Sequence, residues 1–248
     1  MEYINKTNDE LIRELQLLQV ENEALKKSHF LNNLNYSQIE LEEKSFFSKN
    51  LIDTEQNIKF LDLFDLEELQ LLQDRFADAT GVASLITDVN GLPITQPSNF
   101  TRLCNDLIRQ TEVGCANCFK SDTLIGQYNE FGPIIQPCLS GGLWDAGAAI
   151  VVGGKHIGSW LIGQVRDETQ TEEKIKNYAK EIGVNEDKMI EAFREVPAMT
   201  QLKFENIAKY LFVMANHLSK FAYHNIIQAQ LINEKSYIEN ELRESKDK

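Results

Sequence analysis

The sequence predicts an α+β domain held between two helical rods. Three observations predict it. Glycine-containing turns join apolar, strand-like runs at 82–95 and 148–163. A seven-residue repeat runs through residues 1–30, and from about Thr200 a stretch without Pro or Gly has apolar residues stepping by alternating three and four. The expected organisation is a coiled coil at 1–30, a linker at 31–60, a compact domain at 61–195 and a long helix at 196–248.

In the first rod, Ile4, Leu11, Leu18 and Leu25 share one heptad position, and Asn8, Leu15 and Asn22 the position three before it. Leu at d with Asn at two a positions favours a parallel homodimer in fixed register, because buried Asn pairs only when the chains align. The plainer alternative is an amphipathic helix folded back onto its own domain. Residues 31–60 show no clean period and read as a weak helix or linker. From Asp62 a helix is expected, capped by Asp65, with Leu66, Leu69, Leu72 and Phe76 on one face and Gly81 at its end. Val82–Asp88, the Asn90-Gly91 turn and Leu92–Thr95 read as a hairpin. A second hairpin is expected from Ala148–Val152, the turn Gly153-Gly154-Lys155, and His156–Gly163. Short helices are expected near 100–110 and 116–128, then at Thr171–Ile182 and Glu186–Phe193. The last helix should present Phe204, Ile207, Leu211, Met214, Leu218 and Phe221 as a coiled-coil seam, continued by Ile232, Ile238 and Leu242.

The chain of 248 residues carries a net charge of −13, which argues against nucleic-acid binding because a phosphate backbone would be repelled. No apolar stretch approaches the roughly 20 residues of a spanning helix, and the polar start resembles no signal peptide. A cytoplasmic chain without membrane partners is the expectation. In a reducing compartment, four cysteines within 35 positions point to metal or redox chemistry rather than structural disulfides.

Those cysteines are Cys104, Cys115, Cys118 and Cys138. Cys115-Ala116-Asn117-Cys118 has the C-x-x-C spacing at which two thiolates chelate one tetrahedral ion, and the outer two would complete four ligands. The intervals, ten residues before the pair and nineteen after, match no common zinc-finger pattern. Zinc and an iron–sulfur cluster suit four thiolates almost equally. A redox dithiol would use Cys115 and Cys118 alone, and inert buried thiols are the plain alternative.

A second cluster joins Gly141-Gly142-Leu143-Trp144-Asp145 to Trp160, Gly163 and Gln164 across the second hairpin. If the strands pair, Trp144, Asp145, Trp160, Gly163 and Gln164 are candidates to line a small ligand pocket; ordinary packing of two tryptophans is the alternative. His29, His156, His217 and His224 do not cluster, and there is no G-x-S-x-G, Walker A or H-E-x-x-H motif. No residue presents itself as a catalytic base or nucleophile, so the expectation is a chain that is not itself an enzyme. The alternative is a metal- or thiol-dependent redox enzyme using Cys115 and Cys118.

Several ordered motifs resemble one family. They are Leu63-Phe64-Asp65-Leu66, the Ala83–Asp88 strand with Gly91, Cys104, Gly114-Cys115-x-x-Cys118 with Ser121-Asp122, Cys138 before Gly141-Gly142-Leu143, and Gly158-x-x-x-x-Gly163-Gln164-Val165. Over roughly residues 60–225 the sequence resembles the PocR sensory domain. The resemblance implies a PAS- or GAF-like antiparallel sheet with flanking helices that binds a small organic molecule such as a short diol. It also implies an input module of bacterial sensor histidine kinases and transcription regulators. Tyr237–Ser245 resembles the helix leading into a following domain in histidine kinases, so the chain is expected to be a kinase fragment or a stand-alone sensor relaying its state through a dimeric coiled coil. The chain shows no histidine-box helix and no ATP-binding domain.

Overall fold

The structure, a computed structural model, describes residues 60–246. The N-terminal heptads, the 31–60 linker up to residue 59, and His29 lie outside the described residues. A 3-10 turn at Phe60–Asp62 is followed by α1 (Leu66–Thr80) and β1 (Ala83–Thr87). A π-helix at Leu103–Ile108 leads to α2 (Glu112–Ile125), then β2 (Ile134–Pro137), β3 (Trp144–Val152) and β4 (Lys155–Val165). Three helices close the chain: α3 (Glu172–Ile182), α4 (Glu186–Glu195) and α5 (Gln201–Lys246). The strands form one antiparallel sheet in the order β1-β4-β3-β2, so the expected α+β architecture of a sheet with flanking helices is present.

Local chemistry accounts for most boundaries. Asp65 Oδ1 accepts from the amides of Glu67 and Glu68 at 2.8 and 3.0 Å, satisfying donors that the first turn of α1 leaves free. Asn185 caps α4 in the same way, accepting from Lys188 N at 3.0 Å. The β3–β4 turn needs two residues with positive φ, and Gly153 (63°) and Gly154 (75°) supply them without a Cβ penalty.

The first hairpin is only partly formed. Its turn closes, with Asp88 N donating to Leu92 O at 2.8 Å, but the returning segment makes only isolated bridges, Thr87 to Pro93 and Ser84 to Ser98. Pro93 and Pro97 remove the donors a continuous ladder needs, and β1 takes β4 as its long partner instead. Buried Gln73 holds the returning segment, donating to Gln96 O at 2.8 Å and Ser98 Oγ at 2.6 Å. Strand β2 was not expected. It is four residues long, ends at Pro137 and occupies a sheet edge, where proline is tolerated.

The last helix differs most from its expected role. The residues it buries are Phe204, Ala208, Leu211, Ala215, Ser219 and Ala222, and that face packs on β3. Small side chains let the helix lie close to the sheet, with Ser219 Oγ accepting from Val151 N at 2.9 Å. Of the expected seam, Phe204 and Leu211 are spent in this core, Ile207, Met214 and Leu218 flank it, and Phe221 is exposed. The stretch 201–222 is therefore a layer of the domain. Fully burying Phe204 and Leu211 contributes roughly 1.5–3 kcal/mol each. The side chains of Ile232, Ile238 and Leu242 are not among those described.

Candidate ligand-binding cavity

Side chains alternate along a strand, so β3 and β4 present different residues to their two faces. Trp160, Ile162, Ala146 and Ala148 belong to the core shared with α1 and α5. Asp145, Leu161 and Gly163 face the other way, toward the π-helix and α2, and there the packing leaves a partly enclosed cavity of about 40 Å³. At roughly 10–15 Å³ per enclosed water, that holds about three waters or a compact organic molecule of about four non-hydrogen atoms.

Helix α2 contributes Cys118, Ser121, Asp122 and Ile125 to the lining, the i, i+3, i+4, i+7 stripe of one helical face. The π-helix and its end supply Cys104 and Arg109, and the β2–β3 connection supplies Cys138, Ser140 and Leu143. π-Helical turns recur at functional sites. Here the turn ends with Arg109 N bonded to Cys104 O at 3.0 Å and leaves the Arg109 side chain in the cavity wall.

Arg109 Nη2 meets Asp122 Oδ2 at 2.8 Å with both side chains largely buried, and the guanidinium lies 5.2 Å from the centre of the Phe100 ring. Arg109 Nε is buried and has no hydrogen-bond partner. Burial pushes the Asp122 carboxyl up against the opposing pull of Arg109.

Asp145 sits where β4 bulges. Trp144 pairs with Val165 and Ala146 with Ile162, so Gly163 and Gln164 together oppose Asp145. Gln164 adopts φ 57°, which is uncommon for a residue with a side chain, and its N–H donates to Asp145 Oδ1 at 2.9 Å. Its side-chain Oε1 accepts from Thr101 N at 2.7 Å and Thr101 Oγ1 at 2.9 Å, which ties the start of the π-helical cap to the sheet. A Cβ on Gly163 would fall 1.9 Å from Asp145 Oδ1, so only glycine leaves room for this carboxyl. Burial pushes Asp145 up to about 7, with Asp122 adding to the effect and the Gln164 N–H and Arg109 opposing it.

The expected site residues thus divide. Cys104, Cys118 and Cys138 line the cavity, whereas Cys115 does not. Among the described residues no group of three or more His, Cys, Asp and Glu is disposed to hold a metal ion. Burial pushes Cys104 up to about 12 and raises Cys118 and Cys138, so all three are neutral thiols at physiological pH. Asp145, Gly163 and Gln164 are brought together at the cavity. Trp160 is not: it is fully buried on the opposite face, its Nε1 donating to Ser84 Oγ at 2.8 Å. Trp144 also faces that side, and its Nε1 reaches Asp167 Oδ2 at 2.8 Å. The expected pairing of both tryptophans with Gln164 in one pocket fails for two reasons: Trp144 and Asp145 alternate along β3, and the bulge at Gly163-Gln164 turns Gln164, which shares Trp160's parity, to the cavity side. Arg109, Asp122, Ser121 and Phe100 escaped assignment from sequence, although the 118–125 stripe was a usable signal for two of them. His156 lies beside the β3–β4 turn, as expected, bonded to Ser159 Oγ at 2.9 Å.

A small, mostly apolar cavity with a few convergent polar and charged groups, walled by an antiparallel sheet and a cap of helices, has the character of a small-molecule site. Residues 62–223 match the sensory domain found in PocR, and the chain belongs to that family. The regulatory protein PocR of Salmonella typhimurium is 36% identical over 100 residues, covering 39% of this chain and 32% of that protein. The chain thus spans about a third of that relative's length. No solved structure matches the chain. Among the described residues no helix is long and apolar enough to cross a membrane.

Proposed function

We propose that the chain is the input module of a bacterial signal-transduction protein that binds a small, polar organic molecule in the cavity beside Asp145. The observation that carries this reading is the Asp145 site itself. A bulge, a residue with positive φ and an obligatory glycine all serve to hold one carboxyl in a cavity wall, and local strain of this kind costs about 1–3 kcal/mol wherever it is retained. In this reading the chain turns nothing over. Burial of Cys118 as a neutral thiol disfavours the alternative of a dithiol enzyme, which needs an accessible thiolate.

The output side of the module is α5. Ligand and helix contact opposite faces of the same two central strands, so a shift of β3 or β4 on ligand binding is felt where Ser219 meets Val151. A histidine kinase as the output is supported by the likeness of the 237–245 segment to kinase linkers. A homodimer is supported by Tyr210, Val213, Phe221 and Leu231, exposed on α5; sedimentation equilibrium at micromolar concentration tests it, a monomer being the contrary result.

Binding is tested by thermal denaturation of the full chain with a panel of two- to four-carbon diols and amino alcohols. A ligand at a hundred times its Kd stabilises the folded state by about 2.7 kcal/mol, and Ser121→Leu, which fills the cavity, should abolish the effect. No shift with any member of the panel would overturn the reading.

A further inference from the structure

We propose that the cavity selects a short amino alcohol over the corresponding diol, Asp145 taking the ammonium group and Arg109 Nε donating to the hydroxyl oxygen. The inference rests on the reading of this cavity as the ligand site. The charged side chains lining it are one cation, Arg109, and two acids, Asp122 and Asp145. Arg109 and Asp122 compensate each other at 2.8 Å. Asp145 takes part in no ion pair among the described residues, and its bonded neighbours are the Gln164 amide and the Cys138 thiol, both neutral donors. The three thiols alongside add no positive charge, being neutral. A carboxylate fixed in place in such surroundings is compensated by a proton or by a cation brought from outside.

The second half of the recognition comes from Arg109. Its Nε–H is buried without an acceptor, a cost the protein bears until a ligand supplies one. An ammonium group has no lone pair to offer, so the ligand must carry a separate acceptor atom. A cationic donor and a neutral acceptor within about four non-hydrogen atoms describe a molecule of the 2-aminoethanol type. A diol satisfies Arg109 equally well, but it gives Asp145 only a neutral hydroxyl, and hydrogen bonds between ionised partners are roughly twice as strong. An anionic ligand would set a third negative group beside Asp122 and Asp145.

Burial holds Asp145 at about 7, so near neutral pH an arriving ammonium displaces a proton that a diol leaves in place. The groups facing Asp145 that also bear on this are Arg109 and Asp122 from the helical cap and the thiols of Cys104, Cys118 and Cys138.

The test is isothermal titration of the full chain at pH 7 with 2-aminoethanol and with 1,2-ethanediol, each in two buffers of different ionisation enthalpy. The expected result is at least tenfold tighter binding of 2-aminoethanol, with proton release seen for the amine alone. Asp145→Asn, which keeps the shape and the Gln164 contact, should bring the two affinities to within about twofold. Equal or tighter binding of the diol, or an unchanged preference in Asp145→Asn, overturns this inference and leaves the cavity's role as a ligand site standing. Failure of both probes, together with the rest of the panel above, overturns both.

Discussion

The two faces of the central sheet are built from the same strands and differ in kind. Against α1 and α5 the sheet is dry: Trp160 is fully buried, its ring 5.3 Å from that of Phe76, and its one polar atom is satisfied by Ser84. Against the π-helix and α2 the sheet carries a carboxyl, faces a buried ion pair and leaves a cavity. The first face supplies stability through apolar area, while the second holds polar groups in low dielectric at a cost to stability. Two bulges keep the faces separate. By absorbing one extra residue each, they return Ile157 and Val165 to the dry side although their parity along β4 differs from that of Trp160.

Substitutions on the dry face should cost stability and spare ligand binding, and those on the cavity face the reverse. Trp160→Ala carries the largest expected effect, a loss of about 3–5 kcal/mol from an unfilled core site, measured by urea denaturation. Arg109→Met comes next. It leaves Asp122 buried without its cation and should cost about 3 kcal/mol, most of it recovered in the double variant with Asp122→Asn; a double-mutant cycle showing no coupling would remove the ion pair from the account. Gly163→Ala forces a methyl group onto the Asp145 carboxyl and should cost about 1–3 kcal/mol while lowering ligand affinity at least tenfold. A loss of stability with unchanged affinity would separate Asp145 from the site.

The smallest effect is one of pH. Burial raises the folded-state value for Asp145 to about 7, above an unfolded value of about 3.9. Folded protein therefore binds more protons than unfolded protein between these values, and stability declines as pH rises through that range. The contribution of Asp145 is fully present below about pH 4 and lost as pH passes through about 7. Asp145→Asn should flatten the decline between pH 5 and 8, as read from melting temperatures across that range.

The same contrast explains what the sequence disclosed. Periodicity and turn chemistry are local, so the Asp65 cap and Gly81 end of α1, the Gly153-Gly154 turn, α3 and α4 were legible, while α1 starts four residues after the expected Asp62 and β3 four residues before the expected Ala148. The 201–222 seam was misassigned because a heptad pattern does not say whether its partner is another helix or the chain's own sheet. Ala208, Ala215 and Ala222, which mark close packing against β3, carry little signal in a hydrophobic pattern. In the site, Asp145, Gly163 and Gln164 were found because pairing across the second hairpin brings the 141–145 segment beside 160–164. Arg109 was missed because its place depends on a π-helical turn and on Asp122, thirteen residues away, neither of which has a local signature. The tryptophans were drawn into the pocket by proximity in sequence and excluded from it by strand alternation at Trp144 and by the Gly163-Gln164 bulge at Trp160.

In the proposed function, ligand chemistry belongs to the cavity face alone. Its most direct test is a titration of the ¹⁵N-labelled full chain with 2-aminoethanol and 1,2-ethanediol, followed by two-dimensional NMR. The backbone amides of Gln164 and Thr101 and the two indole N–H groups report on the two faces. Saturable shifts are expected at Gln164 and Thr101, with the Trp160 indole, bonded to Ser84, left in place. Shifts centred on the Trp160 indole with Gln164 and Thr101 unmoved, or no saturable shift from either probe, would contradict it.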